Sequence, residues 1–258
     1  SQQPILEIKS YNGARYYLHI LKSPVTSDDC ISPTCTRDMT NYIQHINNNI
    51  QQQADQNDTK ISLIHLHEDV WHAKESIVKS RLRIRLLGPS KSSRIYARKT
   101  KVQRIDAGTA IPFLYDNHMW GATKARYYYG LYLPSSSKDS GQRKEDALVA
   151  VATFSTKRKI KVGNAKLRSS ELLRFCTRAN DVVVGGISKL IRAFVNNQKE
   201  LDYIVTVVDR DWGPGDNWHS TGFNTLHVMS PLFMAVKDDG VRRHLVGAGV
   251  ATTNLSSL

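Results

Sequence analysis

Residues 171–195, ELLRFCTRANDVVVGGISKLIRAFV, combine residue types and spacings suited to anion chemistry. A strand-like run ends in polar residues, and a valine run meets Gly185-Gly186. Ser188 and Lys189 then open an apolar helix. The first N–H groups of a helix have no intrahelical acceptor and carry the positive end of its dipole. Glycines there let a phosphate come close to the backbone. Val184, Gly185, Gly186, Ser188 and Lys189 are therefore the candidate anion or cofactor set. Just upstream, strand alternation places Glu171 with Leu173 and Phe175 on one face, and Arg174 with Leu172 on the other. A charge buried there needs a partner. Arg174 reads either as half of an ion pair supporting the turn or as a functional group.

Three further sets could carry chemistry. His118, followed by Met119-Trp120-Gly121, stands between a helix and a strand, where an imidazole could serve as a general base or stack on a base. Asp209, Arg210 and Trp212 follow the strand-like YIVTVV, and open sheets bind ligands at strand ends. The segment KRKIKVGNAKLR, residues 157–168, reads as a basic hairpin. Lys157, Arg158, Lys159 and Lys161, with Lys99, Lys101, Arg104, Lys124 and Arg126, form a candidate phosphate-contacting stripe. In Tyr127-Tyr128-Tyr129 one ring must face away from the other two, which offers a stacking surface to a base. Cys30, Cys35 and Cys176 form no disulfide framework and no zinc spacing.

The 258 residues carry 36 Lys and Arg against 23 Asp and Glu, a formal charge of +13. A charge of that size and sign suits a polyphosphate partner, because each cation meeting a phosphate releases a counterion. Apolar residues make up 40%, enough for a packed core. No apolar run approaches the ~20 residues that span a bilayer. The expected setting is intracellular, with a mitochondrion or plastid as one option, and a membrane is not an expected partner.

The elements that must position these residues read as follows. Strands over ILEIKSY and ARYYLHIL meet at Asn12-Gly13, a hairpin signal. TRDMTNYIQHINNNIQQQ reads as a helix capped by Thr36 or Asp38. KISLIHLHE reads as a strand buried on both faces, and DVWHAKESIVKSRLRIRLLG as a helix stopped at Gly88-Pro89. PSKSS at 89–93 marks the boundary between regions 1–93 and 94–258. Beyond it lie a strand (RIYARKTKVQRID), a helix (AGTAIPFLYDNHM), a strand (RYYYGLYL), a polar loop at 134–145 and a strand (ALVAVATFST). The basic hairpin, SSELLRFC, the glycine turn with its helix, a strand at LDYIVTVVD, a short helix at GDNWHSTGF and a tail with strand character complete the order.

That order, with WHSTGF near its end, resembles the GNAT acyltransferase fold. The stretches FLYDNHMWGATKARYYYGLYL, ELLRFC, VVVGGISKLIRAFV and VVDRDWGPGDNWHSTGF are similar to the Mom-like, GNAT-related domain of phage DNA-modification proteins, also found behind phage homing-type endonucleases. The likeness covers about residues 94–225. ISLIHLHEDVWHAKESIVKSRLRIRLLG followed by RIYARKT resembles the end of a very-short-patch-repair-type nuclease region. The implied fold is α+β: a GNAT-like mixed, mostly antiparallel sheet with helices on both faces, preceded by a small α/β nuclease-like region.

The resemblance implies acetyl-CoA as cofactor at the glycine turn, with His118, Arg174, Ser188 and Asp209 as catalytic groups if the domain is active. Val183 and Ile187 stand where that family often has glycine, which points away from tight CoA binding. In the nuclease-like region Glu7, Asp28, Asp29 and the Glu68-Asp69 pair do not assemble a two-metal carboxylate set, so no metal site is expected. The leading expectation is a non-catalytic nucleic-acid-binding protein, on RNA or DNA, within a larger complex that includes other proteins. The alternatives are an acyl-CoA-dependent transferase acting on a nucleobase and a metal-dependent endonuclease.

Overall fold

The Asn12-Gly13 pair turns the chain as its sequence predicts. Strands β1 (Ile5–Lys9) and β2 (Arg15–Leu21) pair antiparallel across it, with Gly13 at φ +84°. Helix α1 (Pro33–Gln52) then crosses to β3 (Ile61–His67), which lies parallel to β2. The sheet order is β1-β2-β3. Helix α1 begins at Pro33, ahead of the expected caps Thr36 and Asp38; proline suits a first helical turn, where its missing N–H has no acceptor to lose. Asn47 on α1 closes the unit against the start of β3, donating to Ile61 O (2.7 Å) and accepting from Ile61 N (2.8 Å). Leu18, Leu21, Leu63, Ile64 and Leu66 fill the core around these strands. Helix α2 (Glu68–Leu87) follows and kinks at Lys74.

This computed structural model describes residues 4–23, 33–52, 61–90, 94–135, 146–162, 164–232, 234–236 and 242–244. Asp28, Asp29, Cys30 and nearly all of the expected 134–145 loop lie outside that set. Among the described residues no helix is long and apolar enough to cross a membrane.

The expected single strand at 94–106 is instead two: β4 (Arg94–Tyr96) and β5 (Lys101–Arg104), separated by a turn at Ala97–Lys99. Next come α3 (Ala107–Asn117), β6 (Tyr127–Leu133), β7 (Ala147–Phe154), β8 (Arg158–Val162), β9 (Ala165–Thr177) and β10 (Val182–Val184). Helix α4 (Gly186–Asn196) and β11 (Tyr203–Thr206) complete this part. The sheet order is β11-β9-β7-β6-β5, with β8 added to β9. All pairs are antiparallel except β9–β11. The strand β10 pairs apart from this sheet, parallel to β4.

One helix covers each face of the sheet. On one face, Ala110 and Leu114 of α3 pack on Val151 and Cys176, with Tyr128 and Leu148 at the margin. Burial pushes the Cys176 thiol up to about 12. On the other face, Phe194 of α4 stacks on Phe154 at 3.9 Å and 5°, and Tyr127 and Tyr129 pack against it. The tyrosine run thus alternates as strand geometry demands, but both of its faces are covered by helices. The expected α+β class, with a mixed, mostly antiparallel sheet and helices on both faces, is the fold found, and the small α/β region precedes it.

The chain forms two compact units: Ser1–Val78 with Asp209–Leu258, and Lys79–Val208. The boundary expected at 93/94 is not this division. Residues 79–93 belong with the sheet of the second unit, through contacts such as Asn180 N–H donating to Ser80 Oγ (2.7 Å). The tail from Asp209 returns to the first unit, where Arg242 of the hairpin β12 (Met234–Val236) and β13 (Arg242–His244) grips Asp69 through two N–H donors (2.7 and 2.8 Å).

The Phe194 ring is buried on three sides by aromatic rings, so Phe194→Ala should destabilise by about 3–5 kcal/mol. Urea unfolding followed by circular dichroism checks this, and a decrease below about 1 kcal/mol would show that the stack does not hold α4 to the sheet.

Candidate functional site

The glycine turn lies between β10 and α4. Gly185 adopts the left-handed conformation (φ +75°, ψ 9°) as the helix N-cap, and has no side chain to cap the first-turn N–H groups. Gly185 and Val184 are exposed. Gly186 is buried, and a Cβ there would stand 2.9 Å from Val183 Cγ1 and 3.4 Å from Leu131 Cδ1. Its glycine is demanded by packing. Lys189, the cation expected to meet a phosphate, turns back into the protein: its Nζ donates to Ala97 O (2.8 Å) and to Thr100 O. Ser188 is half-buried on the first turn of α4. The backbone of this turn suits an anion. Of its side chains, Lys189 is committed elsewhere.

His118 caps the C-terminus of α3, and its Nδ1 accepts from Trp120 N (3.1 Å). Arg174 reaches the same corner. Its Nε donates to Gly121 O (3.2 Å) and its Nη1 to Leu173 O (2.8 Å). The structure thus brings Arg174 and the His118–Gly121 turn together, through backbone carbonyls. Burial makes the guanidinium less basic, and the nearby Glu171 opposes that shift.

Asp209, Arg210 and Trp212 belong to the first unit. Asp209 Oδ1 caps a short turn, accepting from Asp211 N (2.9 Å). Arg210 Nη2 donates to Asn41 Oδ1 (3.1 Å) and Gln44 Oε1 (3.2 Å) on α1. Trp212 is 7% exposed. Arg210 and Trp212 were expected at a nucleic-acid surface. Their side chains instead hold the turn onto this unit, and a buried indole offers no face for a base to stack on.

A polar cluster that sequence reading missed lies beside them. His19 and His65 are directly opposite on β2 and β3, with Nδ1 atoms 3.0 Å apart. Thr40 Oγ1 donates to Thr36 O (3.0 Å), so its contact with His65 Nε2 (2.9 Å) must be accepted from that nitrogen. His65 Nδ1 is then the acceptor and His19 Nδ1 the donor. His67 Nε2 lies 3.2 Å from Asp211 Oδ2. The signal was present in HLH, since alternation puts His65 and His67 on one face. Burial, with the other two histidines, lowers the His65 pKa to about 4, although Asp211 opposes the shift. Glu68 Oε2 accepts from Ser23 N (2.8 Å), so both carboxylates of the Glu68-Asp69 pair have internal partners. Among the described residues no three His, Cys, Asp or Glu side chains form a metal-ligand group.

The expected basic residues of the second unit are all exposed. They divide between the two ends of its sheet. Arg104 ends β5 opposite Tyr129, with its guanidinium 5.3 Å over the Tyr127 ring. Lys124 and Arg126 lead into β6, and Arg126 N–H donates to Phe154 O (2.9 Å) where β7 ends. Lys157, Arg158, Lys159 and Lys161 follow immediately. These seven share one end of the sheet. Lys99 and Lys101 lie at the other, where Lys101 is 3.5 Å from Asp146. Residues 79–208 hold 26 Lys and Arg against 9 Asp and Glu, a net +17, while the other unit holds 10 against 14, a net −4.

No protein-family model matches this chain, and no curated protein does. Among solved structures, the chain is similar to an aminoglycoside acetyltransferase from an uncultured soil metagenomic sample, crystallised with sisomicin. The identity is 13% and the TM-score 0.37, over 54% of this chain and 98% of that one. Nothing about this chain's activity follows from that likeness.

Two expected outcomes follow from these contacts. Gly186→Ala should destabilise by about 1–3 kcal/mol through overpacking against Val183, a drop in thermal midpoint that added CoA does not cause. In the histidine cluster, His65 has a lower pKa folded than unfolded, so the unfolded chain binds more protons in between. Its contribution is complete above pH 6.5 and fades as pH falls toward about 4. The decrease approaches about 3 kcal/mol at 1.36 kcal/mol per unit. Urea titrations at pH 8, 6 and 5 should show it, and His65→Gln should flatten that dependence; an unchanged slope would contradict the assignment.

Proposed function

We propose that this protein binds nucleic acid through its second unit, as a non-catalytic component of a nucleic-acid complex. The partition of charge carries this reading: a net +17 on residues 79–208 beside −4 on the rest. A charge kept only for solubility has no reason to segregate. Self-repulsion on this scale weakens a compact state unless a polyanion meets it. The seven exposed cations at one end of the sheet come from three strand ends, which fixes their spacing by the ladder rather than by side-chain flexibility. Phosphates bound there would release counterions without regard to base sequence.

A second reading, an acyl-CoA-dependent transferase acting on a nucleobase, has one specific observation in its favour. The parallel pair β9–β11 ends at Leu172 and Thr206, yet β9 continues to Thr177. Beyond Leu172, β11 no longer pairs with β9. The residues fit acetyl-CoA only in part. The left-handed Gly185 and the uncapped N–H groups suit a diphosphate, whereas Lys189 is held by Ala97 O and Thr100 O. Calorimetry with acetyl-CoA separates the two readings, since micromolar binding (about −8 kcal/mol) would promote the second.

Affinity for a labelled oligonucleotide should fall steeply with salt. Seven phosphate contacts would give a log–log slope near −6 for B-DNA, at about −0.9 per contact. Reversing Lys157, Arg158 and Lys159 together should weaken all sequences alike. A flat salt dependence would overturn the proposal.

A further inference from the structure

The strands β8 and β9 continue past the body of the sheet as a two-stranded ribbon. The pairing of β11 with β9 starts at Ser169, so residues 165–168 pair only with β8. In this register Lys159 is opposite Arg168, and Lys161 is opposite Lys166. Cross-strand partners share a face, and residues two apart share it too. All four cations therefore stand on one face of the ribbon. The other face carries Arg158, Ile160 and Leu167, and buries Ser169.

Like charges directly opposite each other destabilise a ladder. Arg168 has relief, since Glu200 forms an ion pair with it and Asp202 accepts its backbone N–H (2.6 Å). Lys159, Lys161 and Lys166 are exposed, and no carboxylate pairs with them among the described residues. A free hairpin gains nothing from this arrangement. A row of phosphates would turn each repulsive pair into two attractive contacts.

Resting on the nucleic-acid reading above, we infer that the β8–β9 ribbon enters the major groove of B-form duplex DNA, its cationic face against one phosphate backbone. The dimensions agree. Three residue steps beyond Arg168 extend about 10 Å at ~3.4 Å per residue, and the B-DNA major groove is about 8.5 Å deep and about 12 Å wide, admitting a two-stranded ribbon. The A-form major groove is too narrow for side chains to read, so duplex RNA lacks the matching site. The exposed Ile160 (39%) lies on the opposite face and takes no part in the phosphate contacts.

The test uses the full chain and fluorescence anisotropy with three probes of one sequence: a 16-base-pair DNA duplex, the same duplex in RNA, and one DNA strand. Duplex DNA should bind at least tenfold tighter than duplex RNA. Lys159→Gln with Lys161→Gln should lower the salt slope by about 2, near 1 for each phosphate that no longer meets a cation. Lys166→Glu should weaken duplex DNA binding tenfold or more while its thermal midpoint holds or rises, because it places an opposite charge across from Lys161. Equal affinity for duplex RNA would overturn the groove assignment. A salt slope unchanged in the double variant, or duplex DNA affinity unchanged in Lys166→Glu, would remove the ribbon from the interface while leaving nucleic-acid binding by the protein intact, and a lower midpoint for Lys166→Glu would overturn the like-charge strain across the ladder. No binding of any probe at low salt would overturn the parent reading itself.

Discussion

The second unit depends on the aromatic stack of Phe194 on Phe154, which fastens α4 to the sheet. Both rings are fully buried, and Tyr129 meets each of them edge-on. Several features rest on that contact. It sets where α4 runs and hence where Gly185 and Gly186 stand. It covers one face of β6 and β7, so the tyrosine run can alternate without exposing a face. It also anchors the end of β7, from which the chain passes directly into the basic segment and the ribbon. A rigid frame of this kind matters for a surface whose working parts are cations, because flexible lysines recognise shape only when their backbone is fixed.

Charge is the second organising constraint. Within the second unit the few carboxylates are placed as local supports. Asp181 pairs with Arg178, Asp146 with Lys101 and Glu200 with Arg168, and Asp106 caps α3 through Thr109 N. They tie turns and strand ends and leave the exposed cations of β8 without carboxylate partners among the described residues. The first unit is organised differently. Its paired side chains, Asp69 with Arg242 and His67 with Asp211, hold its returning tail against α2 and β3.

Much of the fold was legible in the sequence because its strongest signals are local. The hairpin at Asn12-Gly13, the buried strand at Ile61–His67, the apolar β7 and the helix following the two glycines all follow from period and turn chemistry. What was hidden depends on distant residues. RIYARKTKVQRID reads as one strand until Lys189, about ninety residues later, binds the carbonyls of Ala97 and Thr100 and stabilises a turn there. Trp212 at its strand end reads equally as a core residue or a binding aromatic, and the capped turn at Asp209 settles its side chain inward. The boundary at PSKSS concealed the charge partition. Cut at residue 93, the chain divides into +2 and +11; the −4 and +17 emerge mainly because residues 79–93, with five Lys and Arg and no Asp or Glu, belong to the second unit, the returning tail adding only −1 to the first. Among the candidate site residues, the basic side chains named from the sequence as a phosphate-contacting stripe in the second unit are all exposed. The like-charge pairing of Lys161 with Lys166 needed the ladder register, which no single-sequence pattern specifies.

Lysine footprinting tests binding through the second unit most directly: acetylation of the intact protein with and without bound duplex DNA, read by mass spectrometry. Such binding requires protection concentrated at Lys124, Lys157, Lys159, Lys161 and Lys166, weaker protection at Lys99 and Lys101 on the far end of the sheet, and none at Lys9 or Lys74 of the first unit. Protection of Lys9 and Lys74 with the β8–β9 lysines still reactive would contradict it.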